Sequence, residues 1–280
     1  MSETAPSPPV LRVQNLSVVR EGRSLLEAVD WTVMPGEHWA LLGANGSGKT
    51  SLLNVLLGYL TPTRGEVTLA GREAAADRPD QQWDAWRRNI GFVSAGIAQL
   101  IEPGEPALDI VLAGRYAMVN YWRQRTPKRD RADAETELAR VECAHLAGQP
   151  WMFLSQGERQ RVLVGRALMS PDLRLLVLDE PCAGLDPVAR EHFLDFVARL
   201  VGSKTGAPTL LMVTHHVEEI LPAITHALVL REGRVIARGE RDTVLTEPVL
   251  SQAFGAPVTL GFDETGRRRL AVKARRGRVF

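Results

Sequence analysis

Eight consecutive residues, Gly43-Ala44-Asn45-Gly46-Ser47-Gly48-Lys49-Thr50, satisfy the pattern G-x-x-x-x-G-K-[ST] in full. Glycines at these positions let the backbone turn tightly and aim successive N–H groups inward, and the positive end of a following helix adds to an anion site. In such a loop Lys49 reaches the β- and γ-phosphates of a nucleotide, the Thr50 hydroxyl binds Mg²⁺, and Ser51 belongs to the same nucleotide-binding run. A second run, Leu175-Leu176-Val177-Leu178-Asp179-Glu180-Pro181, is an apolar strand ending in two carboxylates. Alone, such a pair more often makes a turn and a helix cap. Beside a phosphate loop it supplies what Mg·ATP hydrolysis requires, with Asp179 for the metal and Glu180 to orient and deprotonate water.

A strand must enter the loop and a helix must leave it. His38 to Leu42 reads as that strand, and Lys49 to Leu60 carries Leu52, Leu53, Leu56 and Leu57 at helical spacing. Val10 to Val18 and Leu25 to Val33 also read as strands, and this density of short strands suggests an N-terminal antiparallel layer. From about residue 82 the strand signal fades, and Ala107 to Val119 and Arg131 to His145 read as helices of an inserted subdomain. Strands return at Leu173 to Leu178, Thr209 to Val213, Ala227 to Leu230 and Arg234 to Ala237, with a helix over Val188 to Val201. That alternation implies an α/β fold with a mostly parallel sheet.

Three further runs narrow the class. Leu154-Ser155-Gln156-Gly157-Glu158-Arg159-Gln160 precedes the carboxylate strand, Ala183-Gly184-Leu185-Asp186 follows it, and Val213-Thr214-His215-His216 comes later. These resemble the signature motif, D-loop and switch histidine of the ATP-binding cassette family, in the family's order, and the resemblance spans about Leu11 to Gly239. It implies a phosphate-loop NTPase core with an N-terminal antiparallel β layer and an inserted α-helical subdomain. It also implies that each site is completed by a second copy in a head-to-tail dimer. Ser155 and Gly157 would meet the γ-phosphate of the ATP held by the other copy, Asp186 would act across the interface, and His215 would contact the γ-phosphate and orient water. Taken alone, Ser155 reads equally as a helix cap and Asp186 as a turn residue.

The chain departs from the family pattern at several positions. After Ile90-Gly91-Phe92-Val93-Ser94, where a metal-contacting glutamine usually follows, stands Ala95, and Gln99 is the nearest candidate. Where the family usually places an aromatic residue on adenine stands Arg20, whose guanidinium plane can stack on a base or can simply be a solvated strand-end group. Gln156 and Glu158 stand where Gly and Gln are commoner.

The 280 residues, 45% hydrophobic and 24% charged, suffice for one large domain with a subdomain. The organisation expected is a disordered lead over residues 1–9 and an ATPase domain over 10–246, with the helical subdomain inserted at about 82–170. A C-terminal extension with a basic tail fills 247–280. Two cysteines, Cys143 and Cys182, make no disulfide framework. No run approaches the roughly 18 apolar residues of a spanning helix, and the start has no secretory pattern. A cytoplasmic protein, peripheral on the inner face of the membrane and serving a separate transmembrane permease subunit, is therefore expected.

The net charge of +1 opposes a strong positive field for nucleic acid. Arg267, Arg268, Arg269, Lys273, Arg275, Arg276 and Arg278 read as a frayed, solvated tail. All six tryptophans read as core or subdomain packing, with the groove in which a permease helix docks as an alternative place for Trp83 and Trp86. The main functional expectation is ATP hydrolysis powering import, and Gly36 to Leu42 and Leu154 to Leu163 resemble cassettes grouped with molybdate or iron-complex uptake. The alternatives are a cassette ATPase acting on ribosomes or nucleic acid and a nucleotide switch without turnover. Against the former, there is one cassette and no long coiled coil. Against the latter stand Glu180 and His215.

Overall fold

The computed structural model describes residues 8–70, 72–73, 86–122, 125–202, 208–264 and 266–273. Most of the expected N-terminal lead, and Trp83, lie outside them. Alternating side chains build the first layer: in β1 (Leu11–Arg20) and β2 (Arg23–Val33), Leu11, Val13, Leu16, Leu26, Val29, Trp31 and Val33 turn inward. That period marks an antiparallel pair with one buried face.

β3 (Trp39–Leu42) departs from this expectation. All four of its residues are buried, and it leaves the antiparallel layer for the centre of a second sheet. Continuous burial without alternation is what a parallel strand covered on both faces requires. The first sheet is instead completed by β4 (Arg64–Leu69) and β5 (Arg72–Glu73), in the order β2-β1-β4-β5.

The second sheet contains β6 (Ile90–Val93), β7 (Leu175–Asp179), β8 (Thr209–Thr214), β9 (His226–Arg231) and β10 (Arg234–Glu240), ordered β10-β9-β3-β8-β7-β6. The pairings β3·β8, β3·β9, β6·β7 and β7·β8 are parallel, and β10 closes one edge antiparallel to β9. Its two faces feed two cores. Leu41, Val177, Leu211, Val213 and Leu228 face the antiparallel layer and α1 (Lys49–Leu56), whereas Ala40, Leu42, Leu176, Leu178, Leu210 and Met212 face the helices on the other side.

β6 lies inside the span expected to be helical. The helical block follows it, with α2 (Ala95–Leu100), α3 (Ala107–Ala113), α4 (Lys128–Arg140) and α5 (Gln156–Leu168). In α3 and α5, Ile110, Val111, Leu112, Val162 and Val164 are fully buried, each contributing about 1.5–3 kcal/mol relative to exposure. Gly114, at the end of α3, permits close approach to α5, since a Cβ there would stand 1.9 Å from the Arg166 carbonyl oxygen.

Trp31, Trp39, Trp86 and Trp151 are buried, and Trp122 is exposed. Trp86 donates its indole N–H to the Leu56 carbonyl at 2.7 Å, at the end of α1. It is thus a core residue, the first of the two readings, and not a residue of an open groove.

Beyond α6 (Pro187–Gly202), α7 (Arg241–Val244) and α8 (Glu247–Phe254), the chain forms an antiparallel hairpin of β11 (Val258–Phe262) and β12 (Arg268–Val272). The expectation of a frayed tail fails for this part. Arg267 pairs with Glu191 on α6, and Arg268 donates to Asp242 at 2.9 Å. Arg275, Arg276 and Arg278 lie outside the described residues.

Candidate functional site

The chemical groups gather where the parallel strands end, the edge at which open α/β sheets place ligands. β3 runs into the loop 43–48, β7 into Asp179 and Glu180, β8 into His215, and β6 into Ser94. Gly43 must be glycine on steric grounds, because a Cβ there would meet Ser47 Oγ at 2.3 Å and the Leu230 carbonyl at 2.5 Å. Gly48, in the left-handed region at φ 108°, starts α1. Lys49 is buried at the first position of that helix, and its ammonium donates to the Gly43 and Ala44 carbonyls at 2.8 and 3.3 Å. The two bonds hold the cation over the inside of the loop. Burial pushes its pKa down, while Glu180 and Asp179 oppose the fall.

The loop borders a cleft of about 920 Å³, lined from Asn45 through Ser51 and closed by Asp179 and Glu180. Burial, with the neighbouring Glu180 charge, pushes the Asp179 carboxyl up, and Lys49 opposes this. Glu180 sits at φ 47°, a left-handed conformation that costs a non-glycine residue about 1–3 kcal/mol. Its N–H donates to the Val213 carbonyl at 2.8 Å, which ties the end of β7 to β8. From the end of β8, His215 brings Nδ1 to 3.0 Å from Glu180 Oε1. Behind it the buried Glu219 accepts from the Thr214 hydroxyl at 2.5 Å, and that hydroxyl accepts from the His216 N–H at 3.0 Å.

The remaining expected residues divide. Ser155 caps α5, and Ser155, Gly157 and Asp186 line a different cavity, of about 290 Å³. Asp186 also accepts from the Val188 and Ala189 N–H groups at 2.9 Å each, so it caps the start of α6. Arg20 is not among the residues lining the cleft and donates to the Thr61 and Val19 carbonyls at 2.5 and 2.8 Å. Gln99 is exposed and does not line the cleft. The reason is geometric: Ser94 caps α2, accepting from the Ile97 N–H at 3.3 Å, and Gln99 falls more than one turn further on.

Several cleft residues carried no recognisable motif. Ser24, Leu25 and Ser94 line it, as do Glu232 and Gly233 of the β9–β10 turn. Gly233 donates to the Ser47 carbonyl at 2.9 Å and accepts from the Glu27 N–H at 2.9 Å, so this turn buttresses the phosphate loop. The two-residue Glu-Gly step between strands was the available signal.

Ser47 Oγ, in the middle of the loop, is buried without a hydrogen-bond partner among the described residues. An orphaned hydroxyl beside a retained ammonium and a carboxylate fits a phosphate chain with a divalent cation better than an apolar ligand.

The family model described as "ABC transporter" matches residues 26–183. The chain is 41% identical over 250 residues to the ABC transporter ATP-binding protein YlmA of Bacillus subtilis, covering 89% of this chain and 92% of that one. It is 34% identical over 252 residues to the hemin import ATP-binding protein HmuV of Gloeobacter violaceus, covering 88% and 87%. In fold it matches cbiO1 of Clostridium perfringens, part of the ABC transporter complex cbiONQ, with a TM-score of 0.75 at 24% identity over 88% and 94% of the two chains. The chain belongs to the ABC transporter family. Within it, this is an ATP-binding subunit of the kind that hydrolyses ATP, similar to the nucleotide-binding subunits of importers.

Proposed function

We propose that two copies of this chain close head to tail around two ATP molecules, and that closure and hydrolysis drive a separate membrane-spanning partner in solute import. The observation carrying this reading is the separation of the site into two parts. Lys49, Thr50, Asp179 and Glu180 line one cleft, whereas Ser155, Gly157 and Asp186 line another that shares no residue with it. A neighbouring copy that presents the second part to the first supplies the missing donors for a γ-phosphate.

In this reading the loop from Gly43 to Ser51 holds the phosphates through backbone N–H groups, and Lys49 exchanges its two carbonyl partners for phosphate oxygens. Thr50 and Asp179 would hold Mg²⁺, which when bound would neutralise charge building up on the phosphoryl group. Glu180 accepts a proton from the attacking water, and His215 orients that water and the γ-phosphate. Asp186 relates the two copies across the interface. Solute import is supported by the hemin-import relative. No helix among the described residues is long and apolar enough to cross a membrane; in this reading a membrane-spanning partner supplies the translocation path, with this chain on its cytoplasmic face. The nucleic-acid alternative loses its main support with the docking of Arg267 and Arg268 onto acidic residues.

The test is multiple-turnover phosphate release by the purified chain, alone and with the membrane protein that co-purifies with it. Turnover stimulated by that protein and indifferent to RNA or DNA is the expected result. Stimulation by nucleic acid instead, or no turnover in any combination, refutes the reading.

A further inference from the structure

The signature serine is already engaged. Ser155 donates both its backbone N–H and its hydroxyl to a single oxygen, Glu158 Oε2, at 2.7 Å each, and the Glu158 N–H returns to Ser155 Oγ at 3.4 Å. The reciprocal pair is a capping box, which accounts for the start of α5. A box needs only an acceptor at the third helical position, and the glutamine amide serves as well as the glutamate carboxylate. The carboxylate adds a full negative charge less than one turn from the group that is to meet a phosphate. Of the adjacent cations, the Arg159 guanidinium donates to the Trp151 and Met152 carbonyls at 3.2 and 3.0 Å, whereas Arg161, 3.7 Å from Glu142, and His145 act on the Glu158 charge from a distance. The Ser155 bonds hold the Glu158 carboxyl below its ordinary pKa, so it is ionised at neutral pH.

A hydroxyl has one proton to give. A γ-phosphate oxygen reaching Ser155 Oγ must take that hydrogen bond from Glu158, breaking a charge-assisted bond, and must then sit near a carboxylate. We propose that Glu158 is a latch on this half of the site, retaining the Ser155 hydroxyl within its own protomer and opposing closure of two copies around ATP. The inference rests on the reading that Ser155 meets the partner copy's nucleotide. Glu158 acts through Ser155 and is a positioning residue. It biases the resting chain toward the open, separated state, so that ATP-driven pairing is weaker than it would be without the Glu158 charge.

The test uses full-length protein carrying Glu180→Gln, in which turnover is stopped, and reads ATP-driven association by sedimentation. Adding Glu158→Gln keeps the capping box and removes the charge. With two latches per symmetric pair, association is expected to tighten by about tenfold or more. Unchanged or weaker association overturns the latch. Thermal unfolding within a few degrees of the parent confirms that α5 still starts correctly, and Glu158→Ser is the second variant should Glu158→Gln misfold. In a Ser155→Ala background the gain should vanish, because no hydroxyl remains to be released. A gain that persists there assigns the effect to bulk charge and also overturns the latch. Ser155→Arg separates this failure from that of the underlying reading: if it pairs as well as the parent, Ser155 is not at the nucleotide of a second copy at all.

Discussion

His215 Nδ1 stands 3.0 Å from Glu180 Oε1, bridging the ends of two adjacent parallel strands. The contact joins a residue in strained left-handed backbone to one whose own backbone is fixed through Thr214 and the buried Glu219. Glu180→Gln keeps the shape and removes the base, so phosphate release should fall by about 10²–10⁴. Equilibrium ATP binding, measured separately, should be nearly unchanged. His215→Ala should also lower turnover with little effect on binding.

Lys49 is placed by its two carbonyl partners. Lys49→Ala removes the cation, and Lys49→Arg replaces a point charge by a planar fork that cannot occupy the same narrow position between Gly43 and Ala44. Both variants should lose at least about tenfold in ATP affinity, the equivalent of one charge-assisted bond. A fluorescent nucleotide titration reads this, and an unchanged melting temperature separates it from misfolding.

Gly43→Ala tests the loop without touching a charge. Its methyl group must displace Ser47 Oγ or the Leu230 carbonyl, both closer than 2.6 Å to the new Cβ position. Nucleotide affinity should fall while the circular dichroism of the sheet and helices is retained.

Trp86 provides a stability prediction. Trp86→Phe leaves the Leu56 carbonyl without its 2.7 Å donor and should cost about 1–3 kcal/mol. Trp86→Ala adds a core cavity and should cost about 3–5 kcal/mol in denaturant unfolding. Loss of partner stimulation at undiminished stability would instead return Trp86 to a docking surface.

The parts of the site carried by local sequence were legible from it. The phosphate loop, the apolar strand into Asp179 and Glu180, and the cap at Ser155 each depend on neighbours within a few residues. What was not legible depends on distant ones. The expected tail was misread because the partners of Arg267 and Arg268, Glu191 and Asp242, are 76 and 26 positions away. Strand density identified β3 without saying which sheet it joins, although four consecutive buried apolar residues held that information. Gln99 was the nearest glutamine in sequence, but it lies near the far end of α2, whereas Ser94, Ala95 and Gly96 at its start line the cleft. Nor could local sequence supply the partner of Arg20, since the Thr61 carbonyl that accepts from its guanidinium lies 41 positions away.

Sedimentation of the Glu180→Gln protein with and without Mg·ATP bears most directly on the central claim. The account predicts a monomer without nucleotide, a dimer at saturating Mg·ATP, and loss of that dimer on Ser155→Arg. A protein that binds ATP yet remains monomeric at high concentration, or that pairs regardless of nucleotide, would contradict it.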